Sequence, residues 1–496
     1  MSRALTAASV LLACTTAGPA ARALTLDEAL RTALAQNPAL ASRVIDVSVA
    51  DAHTLQAAGL DDFVTAGGAA WTHSRGANVA AQQTPLLPFE GADVNASLSR
   101  SFATGASVAL RLDAPYASVA SSVTPGAPGD VGSLTAFQPS AQLSVTQPLL
   151  RGRGYDVARA PQRQAHALRD VAGWDLEDAA SGLARDVTFA YWELAYQAGD
   201  HELRQEALEA ARGQLRAVAA QIDVGKQQPS ASAEVEVSIA QREDELVDSE
   251  SGVTERSAEL ARLLGADGSP SSRALAATDR PPPPAPPDAA LTGRALQRNP
   301  ALASLHAQAL AASVDVDVAR NALLPQLDAT LSGGPIGVGT EAGSAFRSLG
   351  SFGNYTVQAG LAFQEPIELR GQRGARNAAT GLLTKAHLGE ADARTRVASD
   401  ASIALVQLDS TVRRIALLER AVKTAELDVE SETARFQANR STSFDVLRRQ
   451  QALTDVRIRL LRARVDNAKA AAAIDTLTDD ILVRHGLALR ANGGGR

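Results

Sequence analysis

The chain has 496 residues, 45% of them apolar, 21% charged and only 4% aromatic, so its length exceeds a single hydrophobic core and allows two or three domains. Its 48 basic and 55 acidic residues give a formal charge of −7, which argues against a protein that works by neutralising phosphates. The single cysteine, Cys14, excludes a disulfide framework and any zinc site built on paired thiolates.

The first element is a targeting segment. Arg3 precedes an apolar run over 4–13 and a small-residue region ending in Ala21-Arg22-Ala23. That is the pattern of a secretory signal over residues 1–23, too short to span a bilayer. Cleavage after Ala23 removes Arg3 and Arg22 and moves the formal charge from −7 to −9. Leu11-Leu12-Ala13-Cys14 also resembles a bacterial lipobox, with Cys14 as a lipid anchor. Leu12 fits that box poorly and the A-x-A site fits well, so the discarded-leader reading is preferred. Beyond residue 23 no run of about 20 apolar residues occurs, so a passage through a bilayer has to be made by a closed β-barrel.

Residues 24–266 form a first unit. A short leucine-alanine helix (Leu26, Leu30, Leu34) leads into Asn37-Pro38-Ala39-Leu40-Ala41-Ser42. Stretches 76–93 and 114–140, rich in Gly, Ser, Pro and Ala, read as surface loops, with additional strand-like material at 94–113 between them. Leu143 and Val145 then alternate with Gln142, Ser144 and Thr146. After Gln147-Pro148-Leu149-Leu150-Arg151-Gly152 the period becomes that of a helix. Ala180, Val187, Leu194, His201, Leu208, Leu215 and Ile222 fall seven apart, with Leu183, Ala190, Ala211 and Val218 as companions. Ala184, Ala198 and Ala219 add a small-residue flank, so this helix can touch neighbours on both sides. A helix from 157 to 223, about 67 residues, is about 100 Å long and belongs to an elongated bundle rather than a globule. Gly225 is its left-handed stop. Pro229 and Ser230 open a returning helix carrying Val235, Ile239, Leu246 and Leu260.

Residues 267–288 contain Pro281-Pro282-Pro283-Pro284 and Pro286-Pro287, an extended linker in preference to a proline-motif ligand. Residues 289–485 then repeat the plan, and 486–496 form a flexible tail. Asn299-Pro300-Ala301-Leu302-Ala303-Ser304 returns after Leu291 and Leu296. Leu327, Ala329 and Leu331 alternate with polar residues, a Gly- and Ser-rich loop is expected over 333–351, and Tyr355, Val357, Ala359, Leu361 and Phe363 alternate again. Such segments suit a wall with lipid on one face and water on the other, or an ordinary half-buried sheet. The leader and the shortage of large apolar residues on the second face favour the barrel. After Gln364-Glu365-Pro366-Ile367-Glu368-Leu369-Arg370-Gly371, a second long helix from 376 to 437 carries Leu408, Ile415, Val422, Val429 and Phe436, and is expected to be slightly shorter than the first. Asn439 ends it; Ser441, Thr442 or Ser443 caps a return helix with Val446, Leu453, Leu460 and Leu461. Three echoes in one order mark an internal duplication. By topology the hairpin tips point away from the strands.

Enzyme readings are poor. The seven histidines are scattered without metal-ligand spacing, and no GxSxG elbow occurs. Gly337-Val338-Gly339 lacks the third glycine and the following helix of a dinucleotide site, and Arg151-Gly152-Arg153-Gly154 at a strand-to-helix corner of a secreted protein suits a headgroup or carboxylate better than RNA. No cofactor, metal or nucleic acid is implied.

Three motifs in their order, Leu24-Thr25-Leu26-Asp27-Glu28-Ala29-Leu30, Gln147-Pro148-Leu149, and Arg435-Phe436 through Thr442-Ser443-Phe444-Asp445-Val446-Leu447, together with the duplicated plan, resemble the TolC family of outer-membrane efflux proteins. The resemblance covers essentially the whole mature chain. It implies a mixed α and transmembrane β fold: a homotrimer whose copies each give about four strands to a shared barrel, continued by a long α-helical coiled-coil tunnel. It implies location in the Gram-negative outer membrane, reaching into the periplasm. There the chain would serve as the passive, non-enzymatic conduit of a tripartite efflux or type I secretion system, opened at its helical tips by a periplasmic adaptor (membrane fusion) protein and an inner-membrane transporter.

By the same resemblance Asp445 matches an acidic gate position whose three copies would meet on the pore axis and raise the pKa of at least one of them; the plainer reading of Asp445 is a helix-start residue favoured by the dipole. Arg448 stands where relatives often carry a second acid and can pair with Asp445 at i, i+3. Phe436 stands where relatives often have tyrosine. The first repeat has Ala231 near the acidic position. Val224, Gly225 and Lys226, with Ala438, Asn439 and Arg440, match the adaptor-docking turns. The alternative is a non-conducting periplasmic coiled-coil stalk or adhesin.

Overall fold

The computed structural model describes residues 22–74, 89–122, 131–223, 225, 227–265, 275–277, 279, 281–282, 290–438 and 440–487. Cys14 and the rest of 1–21, as well as Val224, Lys226, Asn439 and the tail beyond 487, lie outside the described residues.

In chain order the elements are β1 (Arg22–Leu24), α1 (Leu26–Gln36), α2 (Pro38–Ala58), β2 (Val64–Ser74), β3 (Phe89–Ser101), β4 (Ser107–Ser122), β5 (Val131–Phe137), β6 (Ser140–Pro148), α3 (Tyr155–Ala158), α4 (Ala160–Asp223) and α5 (Ser230–Leu263). There follow β7 (Leu275–Ala277), α6 (Leu291–Arg298), α7 (Pro300–Asn321), β8 (Gln326–Pro335), α8 (Ala342–Gly350), β9 (Tyr355–Gln364), α9 (Arg370–Gln437), α10 (Ser443–Leu477) and α11 (Ile481–Arg484). The chain divides into two compact units: Met1–Ile45, Trp174–Ala303 and Asp392–Arg496 in the first, and Asp46–Gly173 and Ser304–Ala391 in the second.

The first unit is helical. Its main core joins Ala29, Leu30 and Ala33 of α1 to Ala180, Ala184, Val187, Tyr191 and Leu194 of α4, Leu260 of α5, and Val465, Ala468 and Ala472 of α10. The heptad residues Ala180, Val187, Leu194 and Leu208 are all buried, as are Leu408, Ile415 and Phe436 of α9, whereas Ala219 of the expected second flank is exposed. α4 has 64 residues and α9 has 68, so the second long helix is the longer one. It begins at Arg370 because Pro366 is the last proline before it and nothing after Leu369 interrupts the backbone hydrogen bonds.

Two asparagines do the same work in the two halves. Asn37 accepts the Ala39 and Leu40 N–H groups at 2.9 and 3.2 Å, starting α2, and donates its amide to the Leu263 carbonyl at 2.9 Å. Asn299 accepts the Leu302 N–H at 3.2 Å and donates to the Leu477 carbonyl at 3.4 Å. Each therefore ties the start of a short helix to the end of its own return helix. The expected connector is more than a tether: its β7 pairs in parallel with β1. Asp279 accepts the Leu26 N–H at 2.9 Å, and both its carboxylate and the Leu24 carbonyl lie 3.0 Å from the buried Tyr191 hydroxyl. Arg22 and Ala23, placed at the end of the leader, are residues of β1.

The second unit holds an antiparallel sheet with the order β2-β3-β4-β6-β8-β9, β5 pairing with the far end of β4. The sheet is six positions wide among the described residues, against the expected four. Parts of the expected loops are ordered as well: 89–93 belong to β3, 114–122 to β4, 131–137 to β5, 333–335 to β8 and 342–350 to α8. Small residues conceal strands there, because the hydrogen-bonded neighbours that make them strands are remote in sequence. Paired residues share a face. One face carries Val94, Leu98, Leu110, Leu112, Leu143, Leu331, Val357, Leu361 and Phe363, all exposed. The other carries Asn95, Ser97, Arg111, Asp113, Gln142, Ser144, Ser332 and Gln358. Among the described residues no helix is long and apolar enough to cross a membrane.

Candidate functional site

The ends of the two helical hairpins meet in one apolar knot. Ala211 and Val218 of α4, Val235 of α5, Phe436 of α9 and Val446 and Leu447 of α10 form a buried cluster, with Leu215, Ile222, Ala231 and Ile239 against it. Phe436 is 3% exposed. Its ring is core, and tyrosine's hydroxyl would need a buried partner there. Ala231, expected near the matching position of the first repeat, packs on the same knot.

The turns differ in how they are held. After α4, Gly225 takes φ +70°, open to glycine at no steric cost, and its N–H reaches the Ile222 carbonyl at 2.8 Å. After α9, the Arg440 N–H bonds the Arg435 carbonyl at 2.8 Å, the six-to-one bond of a Schellman-type helix end. Ser441 bonds the nearly buried Glu432, whose carboxylate also lies 3.4 Å from Arg435. Of the six expected tip residues, Gly225, Ala438 and Arg440 are thus in or beside these turns; Val224, Lys226 and Asn439 lie outside the described residues.

Asp445 sits in the first turn of α10. Thr442, the N-cap, accepts the Asp445 N–H at 3.2 Å and donates its hydroxyl to the Asp445 carboxylate at 2.7 Å. That hydroxyl, with help from Ser441 and the charge of Arg449, holds the carboxyl below the ordinary range. The helix-start role is therefore fully formed, and it leaves Asp445 partly exposed and ionised. Arg448 does not pair with it. Arg449, one residue on, supplies the charge and forms an ion pair with Asp428 of α9 at 3.1 Å. Both i, i+3 and i, i+4 spacings reach a helical neighbour, so the sequence alone could not choose. Arg448 instead lines a groove of about 430 Å³ between α5 and α10 with Glu234, Glu245, Gln241 and the exposed Phe444.

Sequence reasoning missed one buried and one half-buried charge. Arg242 of α5, 4% exposed, donates to the Ala207 carbonyl of α4 at 2.6 Å, and burial lowers its pKa. Glu193 of α4 accepts Arg462 at 2.8 Å and also holds Lys469, joining α4 to α10. Burial alone would raise its pKa, yet the two cations bring it below the usual value. A third titratable group lies where α10 ends. Burial, then a shared hydrogen bond with Asp479, pushes Glu177 up to about 7. Asp479 itself takes φ +57° and accepts the Ser181 hydroxyl at 2.6 Å. Nothing in these stretches marks them in sequence; only the packing of α4 against α5 and α10 reveals them.

Comparison with known proteins agrees with this architecture. Residues 291–479 match the family model for outer membrane efflux proteins. No curated protein sequence gives a significant match. Among solved structures, the outer membrane protein VceC of Vibrio cholerae is 17% identical with a TM-score of 0.64, over 92% of this chain and 96% of its own. The CmeC outer membrane channel of Campylobacter jejuni is 14% identical at TM-score 0.64, over 92% and 85%. The open-state MtrE outer membrane channel of Neisseria gonorrhoeae is 14% identical at 0.63, over 92% and 89%. Residues 291–479 thus carry the sequence pattern of outer membrane efflux proteins, and the chain as a whole shares the fold of these outer-membrane channels.

Proposed function

We propose that this chain is the passive outer-membrane conduit of a tripartite efflux or type I secretion system, working as a homotrimer with a periplasmic adaptor and an inner-membrane transporter that supplies the energy. The observation that carries the reading is the sheet of the second unit. Its exposed apolar face suits lipid, its polar face suits water, and its outermost strands β2 and β9 leave edges that other copies of the chain can pair. A stalk that stayed in water would have no use for such a face.

The gate belongs to the second hairpin end. Three Asp445 carboxylates, each held ionised by its Thr442, would ring the periplasmic mouth and favour cations there. Arg449 and Asp428 fasten α10 to α9 beside Asp445, with which Arg448 was expected to pair. Gly225, Ala438 and Arg440, with their neighbours Val224, Lys226 and Asn439, are the adaptor-docking turns. In a planar-bilayer recording the wild type gives small, cation-preferring currents, and Asp445→Ala increases the current and lowers the preference. Identical conductance and selectivity in the two would remove Asp445 from the gate.

A further inference from the structure

The family resemblance implies four strands per chain, yet the sheet is six positions wide, and the excess is β3 and β4 between β2 and β6. A hairpin of that length could stand in water above a narrow barrel or be part of the wall. Three observations bear on the choice, and a fourth on closure.

The first is register. One row of paired residues, Thr65, Leu98, Leu110, Leu143, Gly333 and Val357, crosses all six positions. The adjacent row, Val64, Ser99, Ala109, Ser144, Ser332 and Gln358, lies on the opposite face. Leu98 and Leu110 therefore continue the apolar face of β6 and β9 without a break, while Ser97 and Arg111 continue the polar one. A slip of one residue would invert β3 or β4, so this match has to be specified.

The second is aromatic placement. At one end of the apolar face stand Trp71 of β2, Tyr116 of β4, one strand beyond its partner Ala92, and Tyr355 of β9. At the other end stand Phe63, Phe102 in the β3–β4 turn, and Phe363. Arg100 of β3 lies over the Phe63 and Phe102 rings at 4.9 and 5.5 Å. Aromatic girdles at both rims are the mark of a lipid-spanning wall, and β3 and β4 reach both of them.

The third is anchorage. The Gly154 N–H and the Gln147 side chain both donate to the Thr104 carbonyl, at 3.1 and 3.3 Å. Gly105 has φ +87°, and a Cβ there would meet the Gly152 carbonyl oxygen at 2.3 Å. The turn is seated on the corner where β6 leaves the sheet. The last is parity, which four and six positions satisfy alike and which permits closure between copies. All neighbours along the path are antiparallel, so an even number of positions leaves β2 and β9 running in opposite senses, with 11 and 10 residues. The β9 edge of one copy thus meets the β2 edge of the next in antiparallel order.

We propose that each copy gives six strands to the wall, so that the trimer, on which this inference rests, closes an eighteen-stranded barrel. With strands about 4.8 Å apart and tilted by about 40°, eighteen strands enclose a backbone diameter of about 36 Å, against about 24 Å for twelve. The added strands bring Asp93, Asn95, Arg111 and Asp113 to the inner face, paired as Asn95–Asp93 at 2.9 Å and Arg111–Asp113 at 2.8 Å. The outer-membrane section is thereby wide and charged, and suits bulky hydrated cargo.

The test uses the full-length protein with Cys14→Ser and one added cysteine, Leu98→Cys, Ser97→Cys or Leu361→Cys, each carrying a bimane label in phosphatidylcholine vesicles. Brominated phosphatidylcholine should quench the labels at 98 and 361 but not at 97, which aqueous iodide should reach. The mass of the same samples extracted in detergent should be that of three copies. Lipid quenching at 361 with aqueous quenching at both 97 and 98 would place the hairpin outside the wall and overturn the inference while leaving the conduit intact. Aqueous quenching at 361 as well would overturn the conduit itself. Six-strand walls in an assembly of another copy number would overturn the count of eighteen.

Discussion

Asp445 is a small residue problem with a clear sign. Its carboxyl is held low chiefly by the Thr442 hydroxyl, so Thr442→Val should move its protonation up toward the ordinary carboxylate range. In the bilayer, the loss of cation preference on acidification should then begin at a higher pH than in the wild type; an unchanged midpoint would separate the two residues. Glu177 has the opposite sign. Its folded pKa is raised to about 7, so the folded protein keeps a proton that the unfolded chain has already released. Stability from this group is full below the unfolded carboxyl range and falls as pH rises toward about 7. Glu177→Gln should flatten that fall and raise the heat-dissociation midpoint at pH 8 relative to wild type, with little change at pH 4. Tyr191→Phe removes the hydroxyl that joins Leu24 to Asp279 and should cost about 1–2 kcal/mol, read as a lower midpoint in the same assay.

The elements show where the sequence spoke and where it was silent. The long helices were legible because a period of seven is kept from Ala180 to Leu208, and all of those positions but the half-buried His201 are buried. The strands β6, β8 and β9 were legible from alternation with large apolar residues. β5 and the outer parts of β3 and β4 were not, because Ala, Gly and Ser alternate with nothing to contrast. At the site, the plainer reading of Asp445 as a helix-start residue is met by its Thr442 cap, whereas Arg448 was expected to pair with it and Arg449 went unconsidered, because spacing cannot say which cation a neighbouring helix has engaged. Phe436 was identified by position alone, and its packing required the first hairpin to be present. That packing makes a prediction at this scale. Phe436→Ala should cost about 3–5 kcal/mol and loosen both hairpin ends together, seen as faster hydrogen exchange in residues 211–222 as well as 440–447, because both line one knot. Exchange confined to α9 and α10 would show that the knot does not couple them.

At the scale of the molecule, the decisive feature is a sheet with an exposed apolar face and two open edges. Such a surface is a hazard for a protein alone in water and a requirement for one that closes a wall with its own copies in lipid. The helical unit carries its own cores around α4 and α10 and depends on no such closure. The account therefore stands or falls with assembly. Native mass measurement of the mature protein extracted from outer membranes in mild detergent addresses it most directly. Three copies, separating only on heating and aggregating when detergent is withdrawn, is the predicted result; a monomer that remains folded and soluble without detergent would contradict it.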